Sequence, residues 1–335
     1  MKSIIIILPY FGKFPAYFPL FLKSCAANPS IKWLLLTDQA TDEINIPDNY
    51  IVKNASFKEI QDRAELLFGK APITPYSLCK YKVVYHELFK NEVNDFDFWG
   101  FCDCDLIFGN LRYFITDEVL DKYDKISWRG HLSLFKNNSL INNAYKKEFP
   151  GFKTFKGCIN ESDGINLFDE VGINKIFKKL GYKIYEDIPF ADLVVRNNNF
   201  ICHYDYFEPK TNERQIFRWE NGNLNRIYVR GNKIESEPIA YVHFLKRPMQ
   251  WKERTITGSQ SFLIVPNIFI ADKELTINDV YEYSKKKIYW RYIIPRLSPK
   301  FLVNKLINIF IKWDLKPDVY ITELSQVKIH KRDLT

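Results

Sequence analysis

Two carboxylates, Asp103 and Asp105, stand two residues apart inside an otherwise apolar run from Phe98 to Gly109. In an extended strand, side chains at i and i+2 share a face, so both acids can reach one point in space. Carboxylates that close repel unless a positive charge lies between them. A hard divalent cation, Mn²⁺ or Mg²⁺, suits oxygen ligands and can share its remaining positions with phosphate oxygens. The alternative is a strand end whose acids face water, but the apolar flanks carry burial almost to the carboxylates. Cys102 and Cys104 alternate with the acids and are expected to face the core.

The residues before this run read as a β-α-β unit. Ile4 to Pro9 is a continuous apolar run suited to a buried parallel strand, and Ile31 to Leu36 nearly repeats it before Thr37-Asp38. Between them Phe18, Phe21, Leu22 and Cys25 have helical spacing, closed by Asn28-Pro29. Open α/β sheets bind ligands in the crevice beyond the carboxyl ends of their strands. Pro9-Tyr10-Phe11-Gly12, Asp38 and, after a third strand, Asp103 to Asp105 all fall at that edge. Leu78, Tyr81, Val84, Tyr85 and Leu88 predict a helix over 76–89, with Lys80 and Lys82 off its apolar stripe. Lys125 to Trp128 and His131 to Phe135 read as strands separated by Arg129-Gly130, and 168–180 as a helix. Asn221-Gly222 marks a type I′ hairpin between two strands within 215–228. With 46% apolar and 16% aromatic residues, the chain has ample material for this core.

A second stretch, His243-Phe244-Leu245-Lys246-Arg247-Pro248, follows a short apolar strand. A neutral imidazole can complete a cation site begun by two aspartates, while Lys246 and Arg247 neutralise a diphosphate held by that cation. Alone, His243 reads as a structural histidine; with the acid pair it reads as a ligand.

With these motifs in order, the chain resembles metal-dependent GT-A-fold glycosyltransferases, and more closely a bacterial group found with capsule and O-antigen synthesis. The resemblance rests on Pro9-Tyr10-Phe11-Gly12, Phe96-Asp97-Phe98-Trp99-Gly100, Asp105-Leu106-Ile107-Phe108-Gly109-Asn110-Leu111, Gly130-His131-Leu132-Ser133-Leu134-Phe135, and His243-Phe244 with Lys246-Arg247. It covers most of residues 4–250. It implies an α/β fold of GT-A type, with a Rossmann-like mixed central sheet in a catalytic domain over 1–275. It also implies a UDP-sugar donor, with galactose as the sugar, and Mn²⁺ or Mg²⁺ held by Asp103, Asp105 and His243. The donor's contacts fall on Pro9, Tyr10, Phe11, Asp38, Lys82, Asp103, Gly130, His131 and Lys246, with Gly130 and His131 bordering the sugar. Lys246 serves the leaving diphosphate, and Asp169 and Glu170 are candidates for holding sugar hydroxyls. For those two acids a solvated helix start is the equal alternative. The His-x-x-Lys ending resembles retaining enzymes acting on a glycan or lipid-linked acceptor.

Residues 276–335 read as a basic amphipathic appendage. Eight basic residues and no acid lie between Lys285 and Lys312, and without them the chain has 40 basic against 40 acidic residues. The excess charge is therefore local, which argues against a nucleic-acid-binding face on the main body. Ser298-Pro299 opens a helix in which Asn304, Lys305, Asn308 and Lys312 form a narrow polar stripe against Phe301, Leu302, Leu306, Phe310 and Trp313. That composition, over 285–313, suits an anionic membrane surface, the alternative being a helix packed on the catalytic domain or on a partner enzyme. The apolar run Ile4 to Leu8 is too short for a signal-peptide core, so a cytoplasmic protein, peripheral on the inner face of the membrane, is expected. The six cysteines include no Cys-x-x-Cys pair and suit free thiols. A nucleotidyltransferase, which would bring a glycine-rich phosphate loop, and a non-catalytic sugar-binding or assembly protein are the competing readings.

Overall fold

A computed structural model describes residues 1–161, 167–194, 199–204, 209–210, 214–245, 247–251, 258–285, 290–297 and 299. Lys246, Lys286, Lys287, Ser298 and the helix expected over 301–313 lie outside the described residues. The chain divides into two compact units, Met1–Val194 with Asn198–Lys286, and Val195–Asn197 with Lys287–Thr335. In the second, the described residues form a short helix, Trp290–Ile293, and a 3-10 turn, Ile294–Leu297. Among the described residues no helix is long and apolar enough to cross a membrane.

The first unit is a mixed α/β structure. Its strands are β1 (Ile4–Pro9), β2 (Ile31–Thr37), β3 (Tyr50–Asn54), β4 (Phe98–Cys102), β5 (Leu106–Phe108), β6 (Lys125–Ile126), β7 (Leu132–Lys136) and β8 (Ile184–Tyr185). They continue with β9 (Phe190–Leu193), β10 (Phe200–His203), β11 (Pro209–Lys210), β12 (Gln215–Glu220), β13 (Asn223–Arg230), β14 (Lys233–Pro238) and β15 (Tyr241–His243). The last are β16 (Gln250–Trp251), β17 (Ser261–Val265) and β18 (Ile268–Ala271). The main sheet has the order β3-β2-β1-β4-β7-β6-β8, with β1 to β4 parallel and β7 antiparallel to its neighbours. A second sheet, β11-β10-β9-β15-β5, shares the chain with it through β5, and a third, β14-β13-β12-β17-β18-β16, is built on hairpins.

The main sheet is buried on both faces, as its continuous apolar strands require. Ile4, Ile6 and Leu8 pack with Trp33 and Leu35 against Phe18 and Phe21 of α1 (Phe18–Ala26). Ile5 and Ile7 pack with Leu34 and Leu36 on the opposite face, toward Ile60 and Ala64 of α2 (Phe57–Phe68). Successive crossovers place β2 and β3 on one side of β1 and β4 on the other. The carboxyl ends of β1 and β4 are thus a topological switch point, where the connections diverge and leave a crevice.

Several sequence expectations are corrected. The helix expected over 76–89 is a 3-10 helix, Pro75–Val84, followed by a short α-helix, Tyr85–Leu88. Leu78, Tyr81 and Val84 recur every third residue, the 3-10 period, and all three are buried. Lys82 is buried as well rather than off the apolar stripe. The helix Ile277–Tyr283, assigned on sequence to the appendage, buries Val280 against Ile216 and Ile227 and falls within the first unit. The hairpin at Asn221-Gly222 has φ of 47° and 85°, the two positive values that a type I′ turn demands.

A candidate metal centre at the switch point

Asp103 and Asp105 do not lie on an extended strand. β4 ends at Cys102, and the chain bends through 103–105 before entering the second sheet as β5. The bend separates the two acids' neighbours. The Asp103 backbone N–H donates to the His131 carbonyl at 2.9 Å, while the Asp105 carbonyl accepts from Phe244 N–H at 2.9 Å. Cys102 is buried as expected and Cys104 is partly buried.

Strand register supplies the third group. β15 pairs with β5 so that His243 lies opposite Leu106, beside Asp105, and with β9 so that His243 lies opposite Asp192. Three strands therefore set Asp105, His243 and Asp192 in a row. His243 Nδ1 is 2.8 Å from Asp192 Oδ1, and Nε2 is 3.5 Å from Asp105 Oδ1. One ligand atom from each of Asp103, Asp105 and His243 falls within 4.8 Å of the others. A carboxylate on Nδ1 of an imidazole whose Nε2 faces acids is the arrangement that fixes a metal-ligating tautomer. Sequence reasoning missed Asp192. The only signal was a lone acid inside the apolar run Phe190 to Val194.

The charges lean the same way. Burial alone would depress the His243 pKa, but Asp105 and Asp192 outweigh it and push it up to about 10. Burial opposes the charge on Asp192 too, yet its contacts with His203 and His243 hold its carboxyl far below the usual range. Lys82 Nζ donates to Asp103 Oδ1 at 2.6 Å and to the Gly130 carbonyl at 2.7 Å, and lies 3.9 Å from Asp169 Oδ2. Burial pushes Asp169 up to about 6 although Lys82 draws it down. Asp103, Asp105, Asp169 and Asp192 thus gather around Lys82, His203 and His243. A divalent cation at the first two and His243 would add positive charge to this acidic group.

Asp169 and Glu170 are not a solvated helix start. The Asp169 carboxylate is enclosed beside Lys82, and Glu170 Oε1 accepts from Gly130 N–H at 2.8 Å. The close approach that Gly130 permits is made by these acids: a Cβ there would overlap the Asp169 carboxylate and meet Glu170 Cγ at 3.0 Å. Gly130→Ala is expected to cost about 2 kcal/mol through this overpacking, measured as a lower urea midpoint with unchanged m-value. Wild-type stability in the variant would show that Asp169 does not rest on Gly130.

The remaining sequence candidates surround the bend. Pro9 closes β1, and Tyr10 stacks on Phe14 with centroids 5.1 Å apart. Burial, Cys104 and Asp105 push the Tyr10 phenol up to about 12. Phe11 leans on Phe57, and Asp38 accepts Gly12 N–H at 3.0 Å, tying the loop after β1 to the end of β2. Arg247, expected on a diphosphate, is buried and donates to Asn267 Oδ1 at 2.7 Å and to the Val194 carbonyl. Lys246 lies outside the described residues.

His131 is only 6% exposed, its ring 4.3 Å from that of His243, and neither ring nitrogen has a hydrogen-bond partner among the described residues. Burial first, and the neighbouring His243 second, hold its pKa well below the usual imidazole value. A buried polar group without partners costs about 1–3 kcal/mol. His131→Leu is therefore expected to raise stability by about 1 kcal/mol, read from the denaturation midpoint; a loss of stability would mean that the imidazole is held by a bond.

A model described as a family of unknown function, DUF6625, matches residues 6–273. The chain belongs to this family. No curated protein matches it. The DUF6625 span contains all the residues of the centre, from Pro9 to His243, and ends before the basic segment that begins at Lys285.

Proposed function

We propose that this DUF6625 member is a metal-dependent glycosyltransferase of GT-A type that moves a hexose from a UDP-sugar to a glycan or lipid-linked acceptor with retention of configuration. The observation that carries the reading is the convergence of Asp103, Asp105 and His243 at the switch point between the parallel strands β1 and β4 of the mixed main sheet. In this reading these three residues hold Mn²⁺ or Mg²⁺, with Asp192 orienting His243. When bound, such an ion supplies Lewis-acid stabilisation to a departing nucleoside diphosphate.

The chain's own groups do the rest. Tyr10 and Phe11 offer ring surface to the nucleotide base beside the strand ends, and the Asp38–Gly12 bond holds their loop. Lys246 adds positive charge where negative charge grows on the leaving group. Asp169 and Glu170 act through Lys82 and Gly130, which they hold in place, rather than as bases. A retaining displacement suits that division. The acceptor hydroxyl attacks on the face from which the leaving group departs, and a phosphate oxygen takes its proton. Residues 285–313 hold the enzyme against anionic lipid.

The test is hydrolysis of UDP-sugars by the purified full chain with Mn²⁺ and no acceptor. Slow release of UDP, abolished by a chelator, is the expected result. Absence of turnover across the common UDP-hexoses and their N-acetylated forms would overturn the proposal.

A further inference from the structure

We infer that His131, Asp192 and His243 form a second metal site, suited to Zn²⁺, which excludes a cation from the Asp103–Asp105 pair by taking over His243. The three residues each bring one ligand atom within 4.8 Å of the others. Two of the three donors are imidazoles, a set that favours Zn²⁺, whereas the carboxylate-dominated site beside it favours Mg²⁺ or Mn²⁺. The inference needs no glycosyl transfer and stands apart from the function proposed above.

The observation that points to a ligand is His131. Its ring is 6% exposed, and both nitrogens lack a partner among the described residues. Phe190 and Tyr241 pack edge-on around it at 5.0 and 5.4 Å, surroundings that an apolar ring would fill without a penalty. An imidazole is retained there beside a carboxylate and a second imidazole. The Asp192 carboxylate also faces His203 Nε2 at 3.3 Å, so it is held from outside the triad as ligating carboxylates are. The Asp192 and His203 side chains keep 17% and 14% of their surface exposed, which gives an ion a way in. Three protein donors leave a fourth tetrahedral position for water.

His243 can serve one ion at a time. An ion at Asp103 and Asp105 takes the Nε2 lone pair and leaves the Nδ1 proton donated to Asp192. Zn²⁺ on Nδ1 takes that nitrogen's lone pair and releases its proton to solvent, and the proton left on Nε2 is donated to Asp105. Asp192 then changes from hydrogen-bond acceptor to ligand. Nε2 no longer has a lone pair for the other ion.

The experiment uses the metal-free full chain, with Co²⁺ as the visible probe for the Zn²⁺ site and paramagnetic resonance for bound Mn²⁺. Asp103→Asn is expected to keep the strong visible absorption of four-coordinate Co²⁺, and His131→Leu to lose it with affinity falling about 100-fold. Zn²⁺ should release Mn²⁺ from the wild type at a lower concentration than from His131→Leu, in which only direct competition at Asp103, Asp105 and His243 remains. Zn²⁺ outcompetes Mn²⁺ at most nitrogen and oxygen sites, so dependence on His131 is what separates two sites from one. Equal Zn²⁺ displacement in His131→Leu, or no four-coordinate Co²⁺ in Asp103→Asn, would overturn the inference. If His131→Leu does not fold, His131→Gln replaces it under the same criteria. Neither readout involves nucleotide or sugar, so failure here and failure of the glycosyltransferase reading are distinguishable.

Discussion

Asp105→Asn is expected to lower metal-dependent UDP-sugar hydrolysis by about 10³-fold in kcat/KM at saturating Mn²⁺, the scale of losing a charge-stabilising group in an acyl- or phosphoryl-leaving reaction. Asp105 is 6% exposed and lies in the bend with Oδ1 3.5 Å from His243 Nε2, and the amide fits the same space while removing the charge. The variant also removes one of two carboxylates that keep His243 protonated in the metal-free protein. His243 has a raised folded pKa, so its contribution to stability is complete below the unfolded value near 6.5 and is lost as pH rises through about 10. Asp105→Asn should therefore be less stable than the wild type at pH 6–8 and match it above pH 10. An ion must displace the same proton, so wild-type Mn²⁺ affinity should climb with pH toward 10, with about one proton released per ion bound. Calorimetry in two buffers of different ionisation enthalpy measures that proton. Hydrolysis by Asp105→Asn within tenfold of the wild type, or Mn²⁺ binding that ignores pH between 6 and 9, would remove Asp105 and His243 from the centre.

Lys82→Met is expected to destabilise the fold by about 3–5 kcal/mol, the cost of leaving a buried charge without its partner. Most of that falls on Asp169, whose side chain is 11% exposed; the Asp103 carboxylate is 34% exposed, and water screens its share. Burial has already raised Asp169 to about 6 with the lysine present, and its removal lifts the value further. A carboxyl with a raised folded pKa favours folding when protonated, below its unfolded value, and that contribution is lost as pH rises through the folded pKa. The deficit of Lys82→Met should thus be largest above pH 6 and shrink on acidification toward pH 5. Lys82→Met combined with Asp169→Asn should recover part of the loss, since both buried charges are then gone. Urea titrations at pH 5 and 8 decide it. A deficit independent of pH would mean that Lys82 stabilises by packing rather than by its charge.

Much of the frame could be read directly. β1, α1, β2 and the Asn221-Gly222 hairpin appear where apolar periodicity and turn chemistry place them, because those signals are local. β3 was missed: it is an edge strand with an alternating half-exposed surface, and its five residues give little period to detect. The helix expected over 76–89 is 3-10 over Pro75–Val84, a distinction not visible in sequence because Leu78, Tyr81, Val84 and Leu88 satisfy both periods over so short a span. Asp169 and Glu170 were ambiguous because an acid at a helix start is common, and only the neighbours of Gly130 show that these two are turned inward.

By itself the sequence determined the acid pair, a distant imidazole, the parallel-strand character of the first hundred residues and the concentration of positive charge after residue 285. Periodicity and charge are properties of contiguous residues, so they survive without coordinates. Tertiary structure alone decided that Asp103 and Asp105 sit in a bend, that Lys82 is drawn under them, and that Asp192 and His131 complete the surroundings of His243. The row Asp105, His243 and Asp192 arises from the pairing of β5, β15 and β9, in which His243 faces Leu106 across 137 residues of chain, and no local pattern encodes which residues face each other across such a register.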